Sequence, residues 1–139
     1  MTATTLQKTL YLRATPQEVW TFLTEPDALA DWFHRPDAAL QQGNAYEMCS
    51  DGGITISGQV IAAQPCTRLQ YTFHVPPMGD SISTVTWELE PVPGGTRLCL
   101  THDGLPQGVT HFGLTLALDQ GWDGHFAKLR RTLASEVEN

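Results

Sequence analysis

The stretch that decides the fold is residues 114–137, which read LTLALDQGWDGHFAKLRRTLASEV. An α-helix has about 3.6 residues per turn, so apolar residues spaced three or four apart share one side of it. Here the apolar residues recur at intervals of 4, 4, 4, 3, 4 and 4: Leu114, Leu118, Trp122, Phe126, Leu129, Leu133 and Val137. The spacing predicts one long amphipathic helix, whose apolar side needs a partner surface.

That partner surface is predicted between residues 45 and 101, where apolar and polar residues alternate. Turn-forming segments divide the region into five strands, at 51–53, 64–65, 76–80 and 91–95. A similar alternation predicts a further strand over residues 6–13. The residues expected on the apolar face of the sheet are Ile54, Ile56, Gly58, Val60, Leu69, Tyr71, Phe73, Val75, Val85, Trp87, Leu89, Leu98 and Leu100.

Two short helices are predicted between the first and second strands. Thr15 and Glu18 have the spacing of a capping box, and Pro16 stands at the first helical position, where a missing N–H costs nothing. A second helix start follows at Pro26 and extends through Trp32 and Phe33. Val19, Trp20 and Leu23 are expected to face inward.

These elements predict an α+β fold, in which a curved six-stranded antiparallel sheet wraps around a long C-terminal helix. A chain of 139 residues suits one hydrophobic core, so residues 1–139 are expected to form a single domain. A helix about 10 Å wide cannot fill the concave side of a strongly twisted sheet. We therefore expect a hollow between helix and sheet, and place the functional site there.

The composition and charge of the chain argue against some classes of binding partner. Eight basic residues against fifteen acidic ones give a net charge of −7, which repels nucleic acid and anionic membranes. No apolar run reaches the length of a membrane span, and the first residues lack the pattern of a signal peptide. The chain has three cysteines, Cys49, Cys66 and Cys99, which lie far apart in the sequence. An odd number at such spacing is not typical of a disulfide framework. We expect a cytoplasmic protein with free thiols.

The order of elements resembles the SRPBCC superfamily of START and birch-pollen-allergen-like helix-grip proteins. Within it, the chain is similar to the branch of the activator of the 90-kDa heat-shock-protein ATPase. The resemblance covers nearly the whole chain and is carried by several short segments together: ATPQEVW at 14–20, ALADWF at 28–33, GQV at 58–60, Pro65, Arg68-Leu69, VTWELEP at 85–91, GTRLCLTH at 95–102 and Gly121-Trp122.

The resemblance implies a helix-grip domain with an apolar cavity. Members of the superfamily use such cavities to bind lipids or aromatic molecules or to cyclise polyketides, and others contact chaperones. The activator itself has a second domain that nothing in this chain matches, and fold alone does not select among these functions.

The candidate ligand-binding residues come from the predicted inward faces and from the loop before the long helix. They are Trp32, Phe33, Met48, Tyr71, Phe73, Trp87, His102, Phe112, Leu118, Trp122 and Phe126. His102 follows Leu98 and Leu100 at alternate positions of its strand, so its side chain is expected on the apolar face. There it either contacts a ligand or bonds a backbone carbonyl or water. The aromatic residues either line the cavity or form ordinary core.

Several other features have two interpretations each. Loops 76–80 and 104–112 connect elements or gate access to the cavity. Gly121 either allows close packing on the sheet, which we favour, or widens the cavity. Asp119 and Asp123 lie four apart, and we favour a solvated acidic face over a pair of working carboxylates.

No pattern typical of a metal site, a cofactor site or a catalytic triad occurs in the sequence. We therefore predict no metal, no cofactor and no catalytic residues. The function favoured is binding of a small hydrophobic molecule, such as a lipid, polyketide or flavonoid-like aromatic. One alternative is a cyclase-like or hydrolytic enzyme using His102 and Tyr71. Another is a chaperone- or stress-related interaction module; a monomer and a homodimer are both compatible with the sequence.

Overall fold

A computed structural model describes residues 4–50, 53–106 and 111–138. The elements follow the predicted order: β1 (Thr4–Leu12), α1 (Pro16–Thr24), α2 (Pro26–Trp32), β2 (Ala45–Cys49), β3 (Thr55–Gln64), β4 (Arg68–Phe73), β5 (Ser83–Val92), β6 (Gly95–Leu105) and α3 (Phe112–Glu138). A single 3-10 turn over Pro76–Met78 interrupts the connection between β4 and β5. The predicted α+β fold is confirmed.

All the strands pair antiparallel in one six-stranded sheet, in the order β1-β6-β5-β4-β3-β2. Strands β2 to β6 form the predicted meander. β1 adds to its far side beside β6, so β1 and β2 are the two edges. The long helix α3 packs on the apolar face of this sheet.

The two short helices begin where the sequence places them. The Glu18 N–H donates to the Thr15 hydroxyl at 3.1 Å, and the Thr15 N–H donates to the Glu18 carboxylate at 2.9 Å, so the capping box is formed. Glu25 ends α1 in an extended conformation, and Pro26 starts α2 at once. Because Pro26 lacks an N–H and fixes its own φ, the break between the helices is local and costs little.

The core between α3 and the sheet is densely filled in its central and C-terminal part. Trp122, Phe126, Leu129 and Leu133 are buried, as are the sheet residues Leu69, Val85, Trp87, Leu98 and Leu100 that carry the inward parity. Leu114 and Leu118, nearer the start of α3, are only half-buried. The side chain of Val137 lies outside the described residues. The apolar stripe therefore leaves the core toward the N-terminus of α3.

One residue of the predicted inward set is placed differently. Ile54 precedes β3 rather than belonging to it, and 43% of its surface is exposed. It lies in the turn after β2, where the alternation of a strand no longer fixes the direction of a side chain.

The sheet changes shape where β3 passes β4. A register shift between Val60 and Ala62 marks a bulge in β3. Nearer the start of β3, an isolated bridge joins Ser57 to His74, the residue that follows β4. At Gly58 the backbones come so close that an added Cβ would meet the Thr72 carbonyl oxygen at 2.0 Å. Bulges bend a sheet and increase its twist. The sheet is therefore expected to bend at this bulge.

Gly58→Ala should destabilise the fold, because the new methyl group would overlap the backbone of β4. Overpacking of this kind costs about 1–3 kcal/mol. Gly124→Ala is the matched control, since its Cβ would meet nothing within 4 Å and helix propensity favours alanine by about 1 kcal/mol. Urea unfolding of both variants measures the difference; a Gly58→Ala protein as stable as the parent would contradict the close approach.

Candidate functional site: an apolar pocket beside the long helix

A pocket of about 220 Å³ lies at the N-terminal half of α3. It is bounded by α3, by the end of α2, by the β2–β3 hairpin and by the end of β4 with the turn that follows. It opens to solvent past the exposed residues Ile54, Pro77 and Ala117. Its lining consists of Phe33, His34, Ser50, Ile54, Ile56, Phe73, Val75, Pro77, Leu114, Ala117, Leu118, Gly121, Trp122 and His125.

The wall that α3 contributes is one face of the helix, since its members are three or four residues apart. Gly121 lies in the middle of this wall. A Cβ built on it would meet no atom within 4 Å, so the missing side chain leaves room in the pocket. The interpretation that Gly121 serves close packing on the sheet is therefore wrong. It widens the cavity instead.

Aromatic rings line one side of the pocket and stack on one another. The rings of Phe33 and Trp122 are stacked, with centroids 5.2 Å apart and planes inclined by 13°. Trp32 stacks on Phe33 with ring centroids 5.4 Å apart, and Phe126 stacks on Trp122 with ring centroids 5.8 Å apart. The four rings therefore form one stacked series, of which Phe33 and Trp122 line the pocket.

Trp122 is fixed by a chain of buried hydrogen bonds. Its indole N–H donates to His102 Nδ1 at 3.1 Å, and His102 Nε2 lies 2.8 Å from the Ser83 hydroxyl, which donates to the Phe73 carbonyl at 2.8 Å. An indole N–H only donates and a carbonyl only accepts, so neutral His102 carries its proton on Nε2. His102 is fully buried, and both of its ring nitrogens are bonded to protein groups.

Burial lowers the pKa of His102 from 6.5 to about 4, because the apolar surroundings disfavour the imidazolium; the nearby Asp103 carboxylate opposes this only in part. The unfolded chain therefore binds a proton at a higher pH than the folded chain does. The stability that neutral His102 contributes is present above pH 6.5 and is lost as the pH falls toward 4.

We predict that the free energy of unfolding falls by about 3 kcal/mol on this account between pH 7 and pH 4. His102→Leu should be less stable at pH 7, since Trp122 and Ser83 lose a partner, but its stability should vary less with pH. Chemical unfolding of both proteins across this range isolates the histidine contribution as the difference between the curves. Parallel curves would contradict the burial of a neutral imidazole.

The structure divides the predicted ligand-binding residues into two groups. Phe33, Phe73, Leu118 and Trp122 line the pocket together. The others lie elsewhere: the buried core holds Trp32, Met48, Tyr71, Trp87, His102 and Phe126, and Phe112 is 64% exposed on α3. For that second group, ligand contact stays a prediction.

Tyr71 has a partner of its own inside the core. Its hydroxyl accepts a hydrogen bond from Trp87 Nε1 at 3.1 Å, and burial raises the pKa of the phenol. Trp32 Nε1 likewise donates to the Phe22 carbonyl at 2.7 Å. Among the described residues, every buried side-chain nitrogen and oxygen has a hydrogen-bond partner. These polar groups therefore stabilise the core.

The sequence missed several lining residues. Leu114, Ile56 and Val75 belonged to the predicted apolar faces and could have been included on that signal. His34 and His125 carried no such signal, because His34 follows the end of α2 and His125 lies beside the apolar stripe.

The polar side chains that line the pocket, among the described residues, are His34, His125 and Ser50. The two imidazole rings meet edge to face with centroids 5.0 Å apart. His125 Nδ1 lies 3.1 Å from the Trp32 carbonyl oxygen. None of the described residues that line the pocket is acidic, and none is Lys or Arg.

A polar clasp holds the outer side of α3 on the edge strand β1. Lys8 Nζ lies 2.7 Å from the Asp119 carboxylate and 2.9 Å from that of Asp123, and only 18% of the Lys8 side chain is exposed. The acidic face is solvated as expected, since the Asp119 and Asp123 side chains are 42% and 63% exposed, and it also pairs with Lys8. The spacing of four residues aims both carboxylates at one cation on the neighbouring strand.

Two further observations concern absent features. Within the described part of the chain, no three His, Cys, Asp or Glu side chains come together as metal ligands. None of the helices in residues 4–50, 53–106 and 111–138 combines the length and apolar character of a membrane span.

Loop 76–80, the first loop predicted to gate the cavity, contributes Pro77 to the pocket. Residues 107–110 of the second predicted gating loop lie outside the described residues.

A curved antiparallel sheet that holds one long helix, with two short helices after the first strand, defines a helix-grip protein of the SRPBCC superfamily. The chain belongs to the family described as Activator of Hsp90 ATPase homolog 1-like protein, whose model matches residues 13–134. Among curated proteins, no significant match is found.

Solved structures agree with this assignment. A protein from Mesorhizobium loti is 27% identical, with 95% of this chain and 98% of that chain covered and a TM-score of 0.85. The Aha1 protein from Colwellia psychrerythraea, a dimer in solution, is 18% identical over 94% of this chain and 96% of that one, with a TM-score of 0.79. DynU16, from the dynemicin biosynthetic locus, is 20% identical over 95% of this chain and 48% of that one, with a TM-score of 0.83. The last two likenesses show the fold alone.

Proposed function

We propose that the protein binds a small hydrophobic molecule in the pocket beside α3. The observation that carries this proposal is the pocket itself, an open and mostly apolar space lined by Phe33, Phe73 and Trp122. Ligand sites in proteins are typically concave, lined by apolar and aromatic side chains, and supplied with a few polar groups. This pocket has all three properties.

The volume limits the size of the ligand. A dry apolar cavity of about 150 Å³ is enough to bind benzene. The pocket here is larger, at about 220 Å³, but smaller than the roughly 300–1,000 Å³ of typical drug-sized sites. It suits one or two fused rings or a short acyl chain. A lipid, polyketide or flavonoid-like molecule of greater length would extend through the mouth into solvent.

The aromatic lining favours a planar ring over a flexible chain. A ring that contacts Phe33, Phe73 or Trp122 gains aromatic contacts beyond the burial of its surface. The occurrence of DynU16 in a biosynthetic locus accords with a small-molecule role for this fold.

The enzymatic alternative required His102 and Tyr71 to act on one substrate. Neither residue lines the pocket, and both are bonded to tryptophans of the core. Use of either group as an acid or base would first break a buried hydrogen bond. Binding without chemistry is therefore the function that the geometry supports better.

A protein-contact role is favoured by one specific observation. Phe112 and Leu116 lie one turn apart on α3 and are 64% and 44% exposed, respectively. Apolar side chains in such positions can meet a partner protein, which would accord with the family description. This second candidate involves the outer face of α3 rather than the pocket, so the two functions are separable by mutation.

Gly121→Leu should fill the pocket without harming the fold. We expect it to weaken binding of naphthalene by about tenfold or more, because the added side chain occupies the space of the ligand. The measurement is an NMR titration that follows the backbone amides of residues 114–125.

Gly124→Leu is the matched control. It makes the same change one turn away on the same helix, where the added side chain points to open space outside the pocket. Binding by this variant should stay within about twofold of the parent, since the pocket is unchanged. Equal binding by the parent and both variants would contradict the pocket as the site, and a parent that shows no saturable shifts would contradict the proposed function.

A further inference from the structure

We infer that His102 is a positioning residue of this pocket: it fixes the rings of Trp122 and Phe73 in the pocket wall and so sets the affinity for the ligand without touching it. The inference rests on the proposed function and adds to it a residue that controls the same site from inside the core. It is drawn from the contacts that His102 makes, since His102 itself does not line the pocket.

His102 contacts two of the rings that line the pocket. Its Nδ1 accepts the indole N–H of Trp122 at 3.1 Å, and the imidazole and indole rings meet edge to face with centroids 5.9 Å apart. The imidazole also meets the Phe73 ring edge to face, at 4.7 Å between centroids. Trp122 belongs to α3 and Phe73 to β4. One fully buried side chain is therefore in contact with lining rings from two different elements.

The second ring nitrogen joins His102 to the backbone of Phe73. Nε2 lies 2.8 Å from the Ser83 hydroxyl, and that hydroxyl donates to the Phe73 carbonyl at 2.8 Å. A hydroxyl has one proton, so the Ser83 oxygen accepts from Nε2 while it donates to the carbonyl. His102 therefore holds the Trp122 indole with one nitrogen and, through Ser83, the Phe73 backbone with the other.

Stacking alone does not fix the place of the Trp122 ring. Phe33 and Phe126 both stack on it, with planes inclined by 13° and 21°. Stacking sets the inclination of a ring, but each atom-to-atom dispersion contact is weak and has no preferred direction, so a stacked ring slides in its own plane at little cost. A hydrogen bond has a preferred distance and angle. The bond to His102 therefore decides which part of the indole reaches the pocket.

Loss of the acceptor at His102 should release the Trp122 ring toward the pocket. His102→Leu removes both ring nitrogens and leaves the indole N–H buried without a partner, which is unfavourable. The adjoining pocket of about 220 Å³ is the space available to the ring, since Trp122 already lines it. A ring that moves there takes up room that the ligand needs. Weaker binding by the folded variant is the expected consequence.

The test measures naphthalene binding by the 139-residue chain at pH 7.5, with the NMR titration that follows the backbone amides of residues 114–125. His102→Leu should bind about three- to tenfold more weakly than the parent, because one net hydrogen bond corresponds to about two- to tenfold in an equilibrium constant. His102→Gln keeps an oxygen that accepts and an amide N–H that donates. It should restore binding to within about twofold of the parent.

Thr96→Val is the matched control on the same strand. Thr96 lies near the start of β6, is fully buried, and donates a hydrogen bond to the Ala14 carbonyl at 2.7 Å. The substitution removes a buried hydrogen bond with little change in side-chain volume, and Thr96 does not line the pocket. Thr96→Val should unfold at a lower urea concentration than the parent but bind naphthalene within about twofold of it. The contrast separates positioning of the pocket from stability of the fold.

Hydrogen exchange of the Trp122 indole N–H reports on the bond directly. In the parent and in His102→Gln this proton should exchange slowly, because it is buried and bonded. In His102→Leu it should exchange about tenfold faster or more. If His102→Leu does not fold, Ser83→Ala tests the same connection, since it removes the partner of Nε2. Ser83→Ala should weaken naphthalene binding about two- to threefold.

The outcomes separate the two proposals. Equal naphthalene binding by His102→Leu and the parent, with binding abolished in Gly121→Leu, would overturn the positioning role and leave the pocket in place. Equal weakening in His102→Leu and Thr96→Val would also overturn it, because any lost hydrogen bond of the core would then have the same effect. A parent that shows no saturable shifts would overturn the pocket and the positioning role together.

Discussion

The hydrogen bond from the Trp122 indole to His102 is the interaction on which the arrangement of helix and sheet depends. It joins α3 to β6, and through Ser83 and the Phe73 carbonyl it reaches β5 and the end of β4. Each of these hydrogen bonds is buried and has a fixed donor and acceptor, so displacement of α3 would leave a polar atom without a partner. Apolar packing tolerates small rotations of a helix, but this bond does not.

The pocket follows from where that bond lies along α3. From Trp122 toward the C-terminus, Phe126, Leu129 and Leu133 are buried against the sheet. From Trp122 toward the N-terminus, Gly121 presents no side chain to the pocket. Leu114 and Leu118 then remain half-buried. The apolar pocket between helix and sheet thus lies at the N-terminal half of α3.

The residues of the candidate site were only partly predictable. Phe73, Leu118 and Trp122 could be named because a strand parity or a helical stripe fixes the side on which they lie. The same reasoning could not separate lining from core, since Trp87 and Tyr71 have the same parity and yet pack among other rings. Reasoning from strand and helix periodicity did not identify His34 or His125 at all. They meet only because α2 ends against the middle of α3, and no periodicity within either element encodes that contact.

By itself, the sequence determined which segments are strands and helices, which face of each is apolar, and that a long helix covers a six-stranded antiparallel sheet. Those properties follow from local chemistry: the period of the apolar residues, the capping box at Thr15, and the turns rich in Gly and Pro. The tertiary structure alone decided where the interior is filled and where it is open. That outcome depends on distances between elements far apart in the chain, such as the approach of Gly58 to Thr72 and of Lys8 to Asp119 and Asp123. Such distances arise only when the whole core packs at once, because each side chain takes the space that its neighbours leave.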